Sequence, residues 1–220
     1  MTAIDIERAR FNMAEQQIRP WEVTDERVLE VMQRVPRERF VPHAYRELAF
    51  ADLRIPLGHG EVMMEPKVEA RMLQSLRIEP ADRILEVGTG SGFVTACLAA
   101  LGGSVASYDI HQEFIDAAAD KLARQGVHNV QLHLGNPLTL EGLPKEGFDV
   151  VAVTGSMPLY DPAFEALLAE GGRLFQVVGQ SPVMHALRIR RRGDEFVQDY
   201  LFETDLPPLR RIPEPRRFRF

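Results

Sequence analysis

The sequence predicts an α/β fold, a Rossmann-like sandwich with an N-terminal helical cap and a C-terminal extension, and three observations lead there. Between residues 67 and 178, short apolar runs alternate with amphipathic stretches. The first of these runs, Arg83–Val87, leads straight into a cluster of glycines. Past Ser181 the pattern changes to two strand-like segments around Arg192-Gly193-Asp194. Continuous apolar strands alternating with helices mean a parallel sheet covered on both faces, and the final pair reads as an antiparallel addition.

Each element follows from its local pattern. Residues 4–17 carry apolar side chains at loosely helical spacing, and Pro20 is expected to end that element. Thr24-Asp25-Glu26-Arg27 ahead of Val28, Leu29, Val31 and Met32 reads as a capped second helix, stopped near Pro36. Residues 36–66 are rich in Pro and Gly and show no long period. Val68, Met72, Leu73 and Leu76 give an amphipathic helix over 67–76. The alternating series follows, with strands at 83–87, 104–109, 130–134, 148–154 and 172–178. Helices are expected at 93–101, 112–125 and 162–168, and the antiparallel pair at 186–190 and 195–202. The expected organisation is a cap with a substrate-side segment at 1–66, the core at 67–205 and a Pro/Arg-rich tail at 206–220, in one compact unit.

Composition narrows the classes. A chain of 220 residues with 45% hydrophobic and 26% charged content has material for a sizeable core, which excludes disorder as a whole-chain reading. The one cysteine, Cys97, cannot form an intrachain disulfide, and its apolar helical setting makes it a buried inert thiol. No apolar run approaches the ~20 residues of a membrane helix, and the first residues lack an apolar signal core. A cytoplasmic protein with no membrane partner is expected. The net charge of −6 opposes generic nucleic-acid binding. The charge is uneven, however: residues 210–220 hold five arginines against one glutamate, and Arg188, Arg190, Arg191 and Arg192 form a second basic cluster. Interleaved Arg and Phe would permit RNA stacking. The overall acidity favours instead an extended tail across the fold or a subunit interface, with its arginines solvated or paired.

The glycine cluster carries the chemistry. Gly88-Thr89-Gly90-Ser91-Gly92 follows a strand and precedes a helix, so the backbone can approach a ligand closely. Its third glycine falls one position too early for a dinucleotide fingerprint. Glu86, two residues before the first glycine, sits badly with a pyrophosphate and suits a ligand bearing an ammonium group. S-adenosyl-L-methionine has an ammonium, a sulfonium and no phosphate. Asp109, about twenty residues further on at the next strand end, is placed to accept hydrogen bonds from both ribose hydroxyls, with Ile110 beside it. It could also cap the helix that follows. Asn136 could accept from an adenine amine or serve as a turn residue. Thr154 ends a further strand, where open α/β sheets bind ligands. Together these residues, from Glu86 through Thr154, describe the site of an S-adenosylmethionine-dependent methyltransferase.

These residues resemble the protein-L-isoaspartate (D-aspartate) O-methyltransferase family over nearly the whole chain. The resemblance lies in Met13-Ala14-Glu15-Gln16-Gln17, in Val35-Pro36-Arg37-Glu38-Arg39-Phe40-Val41-Pro42, in the glycine loop, in Gly126-Val127-His128-Asn129-Val130, in Glu170-Gly171-Gly172-Arg173-Leu174 and in Val178-Gly179. It implies methyl transfer to the isoaspartyl carboxylate of damaged proteins, with a protein or peptide as substrate. The departures gather in one place. The family's substrate segment resembles G-x-G-Q-T-I-S-Q-P, and here it reads Gly58-His59-Gly60-Glu61-Val62-Met63-Met64-Glu65-Pro66. Two hydroxyls are lost and two carboxylates gained, and Asn136 stands where the family usually has Asp. Two like charges ~4 Å apart at an effective dielectric of 20 repel by roughly 4 kcal/mol, so glutamates facing the pocket would disfavour an ionised acceptor. The alternatives are therefore a methyltransferase with a different acceptor, or a cofactor-binding homologue without catalysis. Glu61, Met64, Glu65 and His59 are the candidates for work on the acceptor, with His59 either a base or a plain loop residue. The histidines show no ligand spacing, and no metal is expected.

Overall fold

The computed structural model describes residues 3–137, 143 and 147–210 of the chain. Helix α1 (Ala3–Asn12) continues through a wider helical turn at Met13–Ile18 and a tight turn at Arg19–Trp21. Pro20 thus lies inside the last turn rather than ending the element, because a proline at the start of a new turn has no N–H to lose. The chain leaves the helix only at Glu22, whose φ is 61°. Helix α2 (Glu26–Arg34) starts where Asp25 accepts a hydrogen bond from the Arg27 N–H at 3.0 Å. The segment 36–66 holds two short turns and an antiparallel hairpin, β1 (Ile55–Gly58) and β2 (Glu61–Met63). Helix α3 (Pro66–Leu76) follows directly.

The core then alternates as its sequence implies. Strand β3 (Arg83–Val87) leads to helix α4 (Phe93–Leu101), strand β4 (Ser104–Asp109), helix α5 (Gln112–Arg124) and strand β5 (Val130–Leu134). The long strands β6 (Phe148–Met157), β7 (Leu168–Gln180), β8 (Val183–Arg192) and β9 (Glu195–Thr204) complete one sheet in the order β5-β4-β3-β6-β7-β8-β9. Pairing is parallel from β5 to β7, and β8 and β9 join it antiparallel. The helix expected at 162–168 is a six-residue tight turn at Pro162–Leu167, because β7 already begins at Leu168 and leaves no length for an α-helix. Two apolar clusters flank the sheet. One joins α2, α3 and α4 to Ile84, Val105, Ala152 and Phe175. The other joins Leu85, Val87, Val151 and Val153 to Phe164 and Leu167. The first cluster runs from Met13 to Leu206, so the N-terminal segment shares its core with the sheet. Cys97 is buried within it, and burial pushes its thiol well above the ordinary range.

The start of the tail lies along β6. Ser156 donates its N–H to the Pro207 carbonyl at 3.0 Å and accepts from the Leu209 N–H at 2.8 Å. A Cβ on Gly155 would stand 2.8 Å from the Leu209 side chain, which packs into the space the glycine leaves. Residues 211–220, with the other arginines of the tail, lie outside the described residues. The second basic cluster is tied into the sheet surface: Arg188 and Arg190 both bond Asp199, at 2.9 and 3.0 Å, and Arg191 donates to the Leu168 carbonyl. Among the described residues no helix is long and apolar enough to cross a membrane.

One buried ion pair fastens the N-terminal segment to this core. Arg37 is wholly buried, with Nε on the Ala49 carbonyl at 2.9 Å, Nη2 on the Met64 carbonyl at 2.7 Å and Nη1 on Glu69 of α3. Its guanidinium lies 4.7 Å over the Phe93 ring. Burial pushes the Glu69 carboxyl up to about 7, with Arg37 pulling the other way. Removing one member of a buried pair strands the other, at a cost of about 3–5 kcal/mol. Arg37→Leu should lose that much in urea unfolding, and Arg37→Leu combined with Glu69→Leu should regain only the part owed to the stranded carboxyl, since the Ala49 and Met64 carbonyls stay without their donor. A loss below ~1 kcal/mol for the single change, within the range of an exposed pair, would show that the pair does not fasten the segment.

Candidate functional site

The strand order reverses about β3, with β4 on one side and β6 on the other, and a crevice opens there at the carboxyl ends of the strands. The cleft is open to solvent. Its floor is Val87, Gly88 and Gly90 with Tyr108, Asp109 and Ile110. One wall is the β1–β2 hairpin through Leu57, Glu61, Val62 and Met64, and the facing wall is the start of the tail, Leu206 to Arg210. His111, Phe114, Gly135, Asn136, Pro137, Thr154 and Gly155 complete the lining.

Six of the ten residues expected to bind a cofactor line this cleft: Gly88, Gly90, Asp109, Ile110, Asn136 and Thr154. Gly88, Gly90 and Gly92 all take left-handed φ values, of 100°, 49° and 82°. The Gly88 and Thr89 N–H groups both donate to the Tyr108 carbonyl, at 2.8 and 3.2 Å, which folds the loop back over β4. The Asp109 carboxylate accepts from the Gly90 N–H and the His111 N–H, each at 2.9 Å. A carboxylate has about four lone-pair sites, so capacity remains on the cleft side. The Thr154 hydroxyl bonds the carbonyls of Val87 and Gly88 at 2.9 and 2.7 Å, holding β6 to the loop.

Glu86, Thr89, Ser91 and Gly92 are not brought to the cleft. Side chains alternate along β3, so Glu86 points with Ile84 toward α4 and is wholly buried. Its Oε2 accepts from the hydroxyls of Thr95 at 2.6 Å and Ser107 at 2.5 Å, and the Thr89 hydroxyl lies 2.6 Å from that of Ser107. The expectation that Glu86 presents a charge to a ligand ammonium is therefore corrected: it stands beneath the loop as a buried post. Burial pushes its carboxyl up to about 8. Ser91 accepts from the Phe93 N–H at the start of α4, and Gly92 packs against Ala118 of α5.

On the acceptor side, Glu61 and Met64 line the cleft, whereas Glu65 and His59 do not. Both glutamates have a guanidinium partner. Glu61 meets Arg210 Nε at 2.8 Å, and Glu65 meets Arg54 Nε at 3.1 Å. The repulsion expected of glutamates facing the pocket is thus offset at both positions by an arginine from elsewhere in the chain. His59 sits at the hairpin tip with φ 54°, its ring stacked 4.2 Å from that of His111 and its Nε2 3.7 Å from Glu113. The donor atoms of His59, His111 and Glu113 come within 4.8 Å of one another, a cluster that sequence spacing did not reveal. The two rings are only 16° from parallel. A metal bound by imidazole lies in the ring plane, so these stacked rings cannot share one as they stand.

A family model described as protein-L-isoaspartate(D-aspartate) O-methyltransferase matches residues 9–210. The protein-L-isoaspartate O-methyltransferase of Koribacter versatilis is 39% identical over 97% of this chain and 92% of its own. That of Cronobacter sakazakii is 37% identical over 88% of this chain and 92% of its own. A crystal structure from Plasmodium falciparum, assigned as a protein-L-isoaspartate O-methyltransferase and solved in complex with S-adenosyl-L-homocysteine, superposes with a TM-score of 0.78. It shares 19% identity and covers 92% of this chain and 99% of its own, a likeness of fold.

The buried Glu86 generates a pH prediction. Its folded pKa, about 8, lies above the ordinary 4.5, so the folded state holds the proton more tightly than the unfolded chain. The stability this contributes is complete below the ordinary value and is lost as pH rises through the folded one. Each tenfold difference in proton affinity is worth about 1.4 kcal/mol, so the loss is on the order of a few kcal/mol. Glu86→Gln should therefore flatten the fall in stability between pH 5 and pH 9, as read from urea unfolding at several pH values. Parallel profiles for variant and parent would sink this account of Glu86.

Proposed function

The chain belongs to the protein-L-isoaspartate(D-aspartate) O-methyltransferase family, and on that premise we propose that it is an S-adenosyl-L-methionine-dependent protein-L-isoaspartate O-methyltransferase. The observation that carries this reading is the family match over residues 9–210, which takes in the cleft floor and both of its walls. Its substrates are proteins or peptides carrying isoaspartyl residues.

The residues of the cleft suit the cofactor. Asp109 keeps acceptor capacity toward the cleft for two ribose hydroxyls, and Gly88 and Gly90 expose backbone on its floor. Asp109, Gly88, Gly90, Ile110, Asn136 and Thr154 would hold the cofactor, and when bound it supplies a methyl group already activated on sulfur. An ionised carboxylate acceptor needs no base, so the chain's own task is to orient that carboxylate and keep water away. Leu57, Val62, Met64, Leu206 and Leu209 form the apolar walls suited to doing so. The readings with a different acceptor or no catalysis are not favoured. They rest on the hydroxyls lost at Val62 and Met64 and on repulsion by Glu61 and Glu65; both glutamates are charge-paired, and the family match spans the whole cleft.

The test is methyl transfer from labelled cofactor to an isoaspartyl peptide, with the normal aspartyl peptide as control. Turnover of the first and not the second is expected; turnover of neither by cofactor-bound protein overturns the reading. Asp109→Ala should weaken cofactor binding by roughly tenfold or more, since a hydrogen bond to a charged group is worth ~1.5–3 kcal/mol. Unchanged affinity in calorimetry would remove Asp109 from the site.

A further inference from the structure

We propose that Arg210 is the residue that binds the acceptor's carboxylate, an assignment that rests on the methyltransferase reading above and names the cation its substrate requires. Among the described lining residues, Arg210 is the one side chain with a permanent positive charge, whereas Asp109 and Glu61 carry negative charge. A carboxylate entering beside two others needs a cation at contact distance, since unlike charges attract and like charges repel most strongly there. The hairpin wall cannot help with neutral donors: Val62 and Met64 present only apolar atoms and a thioether.

Arg210 is also placed for the task. The residue before it is pinned, with the Leu209 N–H on the Ser156 carbonyl at 2.8 Å and the Leu209 side chain against Gly155. From that anchor the guanidinium spans the cleft mouth to the hairpin, reaching Glu61 through Nε at 2.8 Å and the His59 carbonyl through Nη2 at 3.4 Å. Nη1 has no partner among the described residues, and about half of the side chain is exposed, 52%. A planar guanidinium matches a carboxylate with two parallel hydrogen bonds. Glu61 occupies one edge of this fork as an internal carboxylate, so an incoming acceptor competes with it or shares the cation.

The experiment uses two fluorescent peptides, one with an isoaspartyl residue and one in which its α-carboxylate is a carboxamide. Binding is measured by anisotropy with S-adenosyl-L-homocysteine present, beside methyl-transfer rates. Wild type should prefer the carboxylate peptide by about tenfold or more, the ratio set by one charge-assisted hydrogen bond. Arg210→Ala should erase that preference while cofactor affinity and melting temperature stay put, and Arg210→Lys should restore part of it. Glu61→Gln should tighten binding of the carboxylate peptide by freeing the guanidinium. If wild type methylates the isoaspartyl peptide and Arg210→Ala keeps the preference, the assignment of Arg210 falls and the proposed function stands. If wild type binds the carboxylate peptide through Arg210 and transfers no methyl, the proposed function falls and the carboxylate site stands. If wild type shows no preference between the peptides, the assignment of Arg210 is overturned whatever the rate.

Discussion

The wall of the cleft stays in place because a buried charge has to be satisfied. Arg37 reaches carbonyls at Ala49 and Met64 and the carboxylate of Glu69, so the chain from 49 to 69 is drawn around one guanidinium. Among the described residues the β1–β2 hairpin has only itself as a sheet partner, and an isolated two-stranded hairpin is marginal in water. Its far end is secured through the Met64 carbonyl, one residue past β2 and two before α3. Lysine, with a compact ammonium on a flexible stem, could not place donors on three such separated oxygens in a fixed plane. That requirement accounts for an arginine directly after Val35-Pro36, where the chain turns into the core.

The floor of the cleft rests on a second buried acid with a different logic. Glu86 has no cationic partner among its hydrogen bonds; it is held by the hydroxyls of Thr95 and Ser107, and Thr89 leans on Ser107 in turn. Where Glu69 is paired by charge with Arg37, Glu86 is held by neutral donors at Oε2 alone, its Oε1 is buried without a partner among the described residues, and burial favours keeping its proton. The effect on the site is indirect. The loop is fixed from below through Thr89 and from the side through the Tyr108 carbonyl, so Gly88 and Gly90 meet a ligand on a surface that has already taken shape. Such preorganisation lowers the entropy lost when a ligand is seated.

The alternation of strands and helices from Arg83 to Leu134 was legible because each element carries its own period, and the observed bounds of β3, α4, β4 and β5 agree with it. The β1–β2 hairpin was not legible. Its strands are four and three residues long, too short for a period to show, and its tip combines Gly58, His59 and Gly60, all at positive φ. Asp109, Asn136 and Thr154 could be placed at the cleft because a parallel sheet sends every strand end to one edge. Glu86 lies two residues before the first glycine along the chain, yet the pleat of β3, and not that distance, decides which way it points. An extended tail across the fold is expected, but its seat at the cleft, like the place of Tyr108 in the floor, was not legible, for another reason. Nothing local in Leu206-Pro207-Pro208-Leu209 says that it will run beside Ser156, fifty residues away along the chain.

The same distinction governs the acceptor segment. Read locally, the exchange of hydroxyls and amides for Val62, Met64, Glu61 and Glu65 removes donors and adds repulsion. The fold supplies compensating charges from elsewhere, Arg54 from 11 residues upstream of Glu65 and Arg210 from 149 residues downstream of Glu61. The two pairs are not equivalent. Glu65 is mostly buried beside Arg54 and Asp205, so that pair belongs to the wall itself. The Arg210 pair stands at the mouth, where an exposed ion pair is worth only ~0–1 kcal/mol. A contact that weak adds little to the stability of the fold, and it is therefore open to exchange. An anionic ligand can take the place of Glu61 on the guanidinium without disturbing the core, because Leu209 and Ser156 hold the backbone one residue earlier. What reads along the chain as the loss of neutral donors is, in three dimensions, their replacement by a guanidinium brought from the tail.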